Sequence, residues 1–185
     1  MKVGIVGNGV VGSAVSLQLD LTNTPNIAFD PRDGWMDCNA YVVAVPTPLG
    51  LDGSLFVEYI ENVLELIGNK KPVLIKSTLP LEKIIELSNT TNNVCYSPEF
   101  LTEKNSVNDA KSETKFIVGG SEENAHFWIE MFKPLIVDTN NGKVYRCTLL
   151  EAGLIKLAEN SFLATKVTFA NEMSDLASLM GIEYD

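Results

Sequence analysis

Residues 7–12 read Gly7-Asn8-Gly9-Val10-Val11-Gly12, and Asp30 follows eighteen residues after the last glycine. Residues of these types at this spacing can bind a dinucleotide. Gly7 allows a tight turn off a strand, Gly9 lets a pyrophosphate approach the backbone, and Gly12 lets a helix lie close to a sheet. A helix that opens at this turn offers N–H groups and a positive dipole end to the phosphates. Asn8, Val10 and Val11 belong to the same turn. A carboxylate at Asp30 accepts hydrogen bonds from the adenosine ribose hydroxyls. It also repels a ribose 2′-phosphate, which favours NAD over NADP. Arg32 reads two ways: as a group that reaches the adenine ribose or a phosphate, or as a solvated turn arginine.

These residues need a strand, a turn, a helix and a second strand in that order, and the first thirty residues supply them. Lys2 to Val6 is an apolar run, Ser13 to Leu19 reads as a helix, and Ile27 to Phe29 reads as a short strand ending at Asp30. Ala40 to Val45 is nearly continuous in apolar residues, as expected of a strand covered on both faces, and stops at Pro46-Thr47-Pro48. Leu55 to Ile67 carries Phe56, Tyr59, Ile60, Val63, Leu64 and Ile67 at helical spacing. Further strands are read at 72–76, 93–96, 115–120 and 135–138, and a short helix at 81–87. A helix is read from a cap at Ser121 to about Phe132, with Glu122 and Glu123 in its first turn.

The tail changes character. Thr148 and Glu151 have the spacing of a capping box, and the helical pattern then runs to Met180 without a proline. Leu154, Leu157, Phe162, Phe169, Met173 and Leu176 spread along it. A helix of roughly 30 residues is about 45 Å long, more than one small domain needs. The expected class is therefore α/β: a Rossmann-type parallel sheet with helices on both faces, followed by one long C-terminal helix. The expected division is a dinucleotide-binding domain at residues 1–147 and the long helix at 148–185.

The bulk composition narrows the partners. The chain has 185 residues, 45% of them hydrophobic, and a formal net charge of -10. An acidic chain gains nothing from phosphate-backbone electrostatics, which argues against nucleic acid. One histidine (His126) and three scattered cysteines (Cys38, Cys95 and Cys147) match no metal module. The N-terminal apolar run is too short for a signal peptide, and no stretch reaches the roughly 20 apolar residues that span a bilayer. With sparse, odd-numbered cysteines, the expected location is cytoplasmic.

Several segments together resemble the UDP-glucose/GDP-mannose dehydrogenase family. They are Val3 to Gly12, Val45-Pro46-Thr47-Pro48, Lys76-Ser77-Thr78-Leu79-Pro80 and Ser97-Pro98-Glu99-Phe100-Leu101. The most specific is Glu151 to Asn160, continuing to Thr168-Phe169-Ala170-Asn171-Glu172. The resemblance implies oxidation of the C6 alcohol of a nucleotide sugar to a carboxylate, with two NAD molecules and an active-site thiolate. It implies that Val45, Pro46, Thr47 and Thr78 lie with the glycine turn among the NAD-binding residues. Thr78 resembles the threonine that holds a water or the reacting centre near the nicotinamide. Glu99 resembles a glutamate near the sugar and the catalytic water, and Glu103 a second one with an acid/base or water-positioning role. Lys156 resembles the lysine that stabilises negative charge on the substrate oxygen, with Asn160 as its polar partner one turn on. Homodimerisation through residues 149–180 is implied as well.

These types suit the chemistry. An alcohol that loses hydride needs a proton acceptor and a nearby cation. Structural roles remain open: Glu99 as a helix cap, Lys156 as a solvated lysine, Thr78 as a turn residue. The sequence departs from the family in a short link from Asp30 to Ala40, where a further helix and strand are usual. This predicts a lost sheet strand or a looser adenine site. Lys104-Asn105 follows Glu103 where the family usually has glycine, and none of the three cysteines stands in a Gly-Gly-Ser-Cys-type segment. Three functions fit: a nucleotide-sugar 6-dehydrogenase represented by its NAD-binding part and central helix, a hydroxyacid-type dehydrogenase relative, or a catalytically incomplete NAD-binding and dimerisation module.

Overall fold

A computed structural model of the chain describes residues 1–100, 115–137 and 143–184. Glu103, the segment 104–113 and the turn at 140–142 lie outside the described residues. The chain divides into two units, Met1–Gly153 and Leu154–Asp185.

The first unit is built on one sheet in the order β2-β1-β3-β4-β5-β6-β7. Its strands are β1 (Val3–Val6), β2 (Asn26–Phe29), β3 (Ala40–Val43), β4 (Val73–Ile75), β5 (Val94–Tyr96), β6 (Lys115–Gly119) and β7 (Lys143–Cys147). The first five run parallel. β6 runs antiparallel to β5 through the pair Tyr96↔Gly119, and β7 is parallel to β6. The helices are α1 (Val10–Leu21), α2 (Glu58–Ile67), α3 (Leu81–Thr90), α4 (Glu122–Val137) and α5 (Leu149–Leu179).

Alternation along the central strands sends side chains to two cores. Ile5, Val42, Leu74 and Cys95 pack with Val15 and Leu19 of α1 and with Trp128 and Phe132 of α4. Val6, Val43, Ile75 and Tyr96 pack with Ile60 and Val63 of α2, Ile84 and Leu87 of α3, and Leu149 and Ala152 in the first turn of α5. Both faces are covered, which is why the central strands read as unbroken apolar runs.

The short link after Asp30 leaves β2 at the sheet edge. Doubly wound sheets of this type place a further strand outside it, and a crossover to such a strand takes a dozen or more residues. Here the link holds one 3-10 turn at Pro31–Asp33. Aromatic packing secures it: Trp35 meets Phe29 edge-on at 5.5 Å and stacks on Tyr41 at 5.2 Å. The Tyr41 hydroxyl accepts the Cys38 N–H at 2.8 Å and donates to the Met36 carbonyl at 3.1 Å.

Two element readings are corrected, and one strand joins those read from the sequence. Leu135 to Val137 is the end of α4, not a strand. Trp128, Phe132 and Ile136 are all buried, so a four-residue repeat carries the helix through Pro134 to its end. β7 is a strand where the sequence showed no apolar alternation. The helix read from Leu55 starts only at Glu58, because Leu55 forms a bridge with Leu49.

Candidate functional site

The carboxyl ends of β1 to β5 open into a cleft of about 770 Å³. The glycine turn forms one wall, and its three glycines differ in kind. Gly7 has φ +105, and a Cβ there would lie 2.5 Å from the Ala44 carbonyl oxygen. A Cβ on Gly12 would lie 1.9 Å from the Gly7 carbonyl oxygen, so α1 can approach β1 only with glycine at this position. A Cβ on Gly9 would meet no heavy atom within 4 Å. Gly9 is also the N-cap of α1, with no side chain capping the helix. An uncapped helix start beside open space is what a pyrophosphate needs.

Asp30 leaves β2 into the same cleft. It holds Arg32 through a fork: Arg32 Nε donates to Oδ1 at 3.0 Å and Nη2 to Oδ2 at 2.6 Å. The Arg32 backbone N–H adds a third bond to Oδ1 at 2.9 Å. The guanidinium, and then the N–H, hold the Asp30 carboxyl down to about 2. Asp30 is therefore a carboxylate at any physiological pH, and Oδ2, which accepts one of the three bonds, retains a lone pair for a further donor.

The cleft gathers most of the residues singled out in the sequence. Gly7, Asn8, Gly9, Val10 and Val11 line it together with Asp30 and Arg32. So do Val45, Pro46 and Thr47 after β3, Thr78 after β4 and Glu99 after β5. Gly12 lies outside the lining and acts through helix packing. Lys156 is buried and Asn160 exposed, and both belong to the second unit.

The cleft also contains residues that sequence reasoning did not single out. Tyr59, Asn62, Val63 and Leu66 of α2 line it, as do Lys76 and Ser77. Asn62 within an apolar stripe at helical spacing was the available signal. Beside Glu99, the Tyr96 hydroxyl is pushed up to about 12 by burial, with the Glu99 charge adding to the shift. Burial raises all three thiols, Cys95 to about 12. Among the described residues no group of His, Cys, Asp or Glu can hold a metal ion.

The sheet and its cleft define a Rossmann-type fold with an opening at the carboxyl ends of its parallel strands. A UDP-glucose dehydrogenase structure from Pyrobaculum islandicum superposes with a TM-score of 0.82 at 23% identity, covering 98% of this chain and 54% of the other. A GDP-mannose dehydrogenase structure from Pseudomonas aeruginosa superposes with a TM-score of 0.79 at 21% identity, covering 99% and 54%. The model of the UDP-glucose/GDP-mannose dehydrogenase family NAD binding domain matches residues 17–136, and the family's central domain matches residues 150–185. The chain belongs to the UDP-glucose/GDP-mannose dehydrogenase family. The UDP-glucose 6-dehydrogenase of Pseudomonas aeruginosa is 32% identical over 91% of this chain, and that of Haloferax volcanii 28% identical over 82%. The chain spans 40% of the length of each of these two relatives.

NAD is the cofactor of this domain, and the residues fit it. Open space lies at Gly9, the start of α1 carries no side-chain cap, and Asp30 is ionised.

Proposed function

We propose that this chain forms the NAD-binding part of a nucleotide-sugar 6-dehydrogenase, which oxidises the C6 alcohol of a UDP- or GDP-sugar to the uronic acid. The observation that carries the proposal is one cleft lined by the glycine turn and Asp30 and also by Thr78 and Glu99. The first pair suits the adenosine diphosphate. The second pair brings a hydroxyl and a carboxylate to the end where oxidation takes place. Bound NAD supplies the hydride acceptor. Asp30 accepts from the ribose hydroxyls, and the first turn of α1 donates to the phosphates. Glu99 takes or positions a proton, and Thr78 holds water or the reacting centre. Glu103 is assigned a second acid/base or water-positioning role. Lys156 is assigned the stabilisation of negative charge on the substrate oxygen, with Asn160 as its polar partner. The domain assignment is residues 1–147 for NAD and 148–185 for the central helix, the latter forming a homodimer interface. No described helix is long and apolar enough to cross a membrane, and the proposed location is the cytoplasm.

Calorimetric titration of the 185-residue chain with NAD and NADP tests the cofactor half of this reading. NAD should bind more tightly, and equal affinities or no binding would sink it.

The thiols bear on how far the reaction goes in these residues alone. A thioester step needs a thiolate, and burial pushes the thiols of Cys38, Cys95 and Cys147 up, away from the thiolate. The 185 residues alone should not complete the four-electron oxidation. Two NADH formed per UDP-glucose or GDP-mannose by the purified chain would overturn this.

A further inference from the structure

Lys76 follows Ile75 at the end of β4, on the sheet face that carries Leu74. Its side chain is only 4% exposed. The ammonium donates to Ser97 Oγ at 3.2 Å and sits 5.6 Å from the centroid of the Phe116 ring. It also lines the cleft. Lysine is among the residues least often buried, and desolvating its charge is costly. A methionine would fill similar space without that cost, so the charge itself calls for a reason.

The position supplies one. Thr78 lies two residues beyond Lys76, and Glu99 two residues beyond Ser97. The backbone ladder ends at this level, with Ser97 N–H donating to Ile75 O at 2.9 Å and Lys76 N–H to Val43 O at 2.8 Å. The Lys76–Ser97 bond therefore ties the exits of β4 and β5 where the two chains leave the sheet. In the order β2-β1-β3-β4-β5, this tie is at the far side of the cleft from Asp30. Four strand spacings separate β2 from β5, roughly 19 Å.

We propose that Lys76 is a positioning residue for the nicotinamide half of the dinucleotide. Through Ser97 it clamps the two strand exits and so holds Thr78 and Glu99 at the reactive end of the cleft. The inference rests on NAD occupying this cleft. It goes further in assigning the Lys76–Ser97 clamp to the half of the site away from Asp30.

The test compares NAD with ADP, which lacks the nicotinamide half, by calorimetry on the 185-residue chain and its K76M, K76R and S97A variants. K76M and S97A should each weaken NAD about tenfold, the loss of one hydrogen bond to a charged group. ADP affinity should stay within about twofold, and K76R, which keeps the cation, should restore part of the NAD affinity. S97A leaves the lysine in place and removes the Ser97 acceptor, so it carries the test if K76M does not fold. Unchanged NAD affinity in the variants overturns the proposal, and so does an equal loss of NAD and ADP. A wild-type chain that binds neither ligand overturns the reading of the cleft itself.

Discussion

A methyl group at position 12 would collide with the Gly7 carbonyl, whereas one at position 9 would project into open space. The two glycines therefore separate stability from binding. Gly9 has φ -86 and ψ -162, a backbone any residue can adopt. Gly9→Val should fold, with only the modest loss of melting temperature that a poorer N-cap brings, and lose NAD binding, because its side chain occupies the pyrophosphate path. Gly12→Ala should cost about 1–3 kcal/mol through overpacking, read as a lower melting temperature. A Gly9→Val variant that binds NAD normally would contradict the placement of the phosphates. Asp30 offers a second test at this scale. Its folded value lies below its unfolded one, so the Arg32 fork adds stability above the unfolded value. That contribution is lost as pH falls toward about 2. Arg32→Ala removes the guanidinium but keeps the backbone N–H on Oδ1, so the carboxyl should rise part of the way from about 2 toward ~3.9, measured by NMR titration of the Asp30 carboxyl carbon. A carboxyl that stays near 2 without Arg32 would show that another group holds it down. Asp30 and the glycines were legible in the sequence because a motif fixes their spacing. The fork was not, because a turn arginine can equally point into solvent, and only the 3-10 turn at Pro31–Asp33 brings its guanidinium back.

At the scale of elements, reading succeeded where local chemistry and tertiary packing agreed. The start of α5 is an example. Glu151 Oε2 accepts the Thr148 N–H at 2.7 Å, and Thr148 Oγ1 accepts the Glu151 N–H at 3.2 Å. This is the reciprocal box its spacing predicts. Thr148→Ala should cost about 1 kcal/mol, measured by chemical denaturation, and Thr148→Ser should cost little. The Thr148 backbone and hydroxyl hold the Glu151 carboxyl below its ordinary value. The contribution of the cap is thus present above the unfolded value and is lost on acidification. The Thr148→Ala deficit should shrink below about pH 4, and a pH-independent deficit would count against the box. Reading failed where the two levels conflict. Leu135-Ile136-Val137 has strand composition, yet Ile136 continues the buried face that Trp128 and Phe132 begin, and packing outweighs local preference. β7 was missed for the opposite reason. Lys143, Tyr145 and Arg146 are exposed, and only pairing with β6 makes the segment a strand.

At the scale of the whole molecule, the unit Leu154–Asp185 carries a series of exposed large apolar side chains. Leu154, Leu157, Phe162 and Phe169 are 58%, 51%, 63% and 66% exposed. Burying a side chain of this kind fully is worth roughly 1.5–3 kcal/mol, so four of them in water are a strong incentive to associate. Patches of this sort mark interaction surfaces, and a two-fold pair of identical helices is the commonest way to close one. The helix that carries them, Leu149–Leu179, has 31 residues and a length of roughly 46 Å, enough for a long antiparallel contact with its copy. Few of these side chains follow a single narrow stripe, so the pairing would bury a broad face and not a coiled-coil seam. The expected outcome is a mass twice that of the 20.2 kDa chain in light scattering, held across a concentration series. Phe169→Asp places a charge in the middle of the contact and should return the protein to 20.2 kDa without loss of NAD binding, since the cleft belongs to the first unit. A wild-type chain that stays at 20.2 kDa at every concentration would refute the dimer.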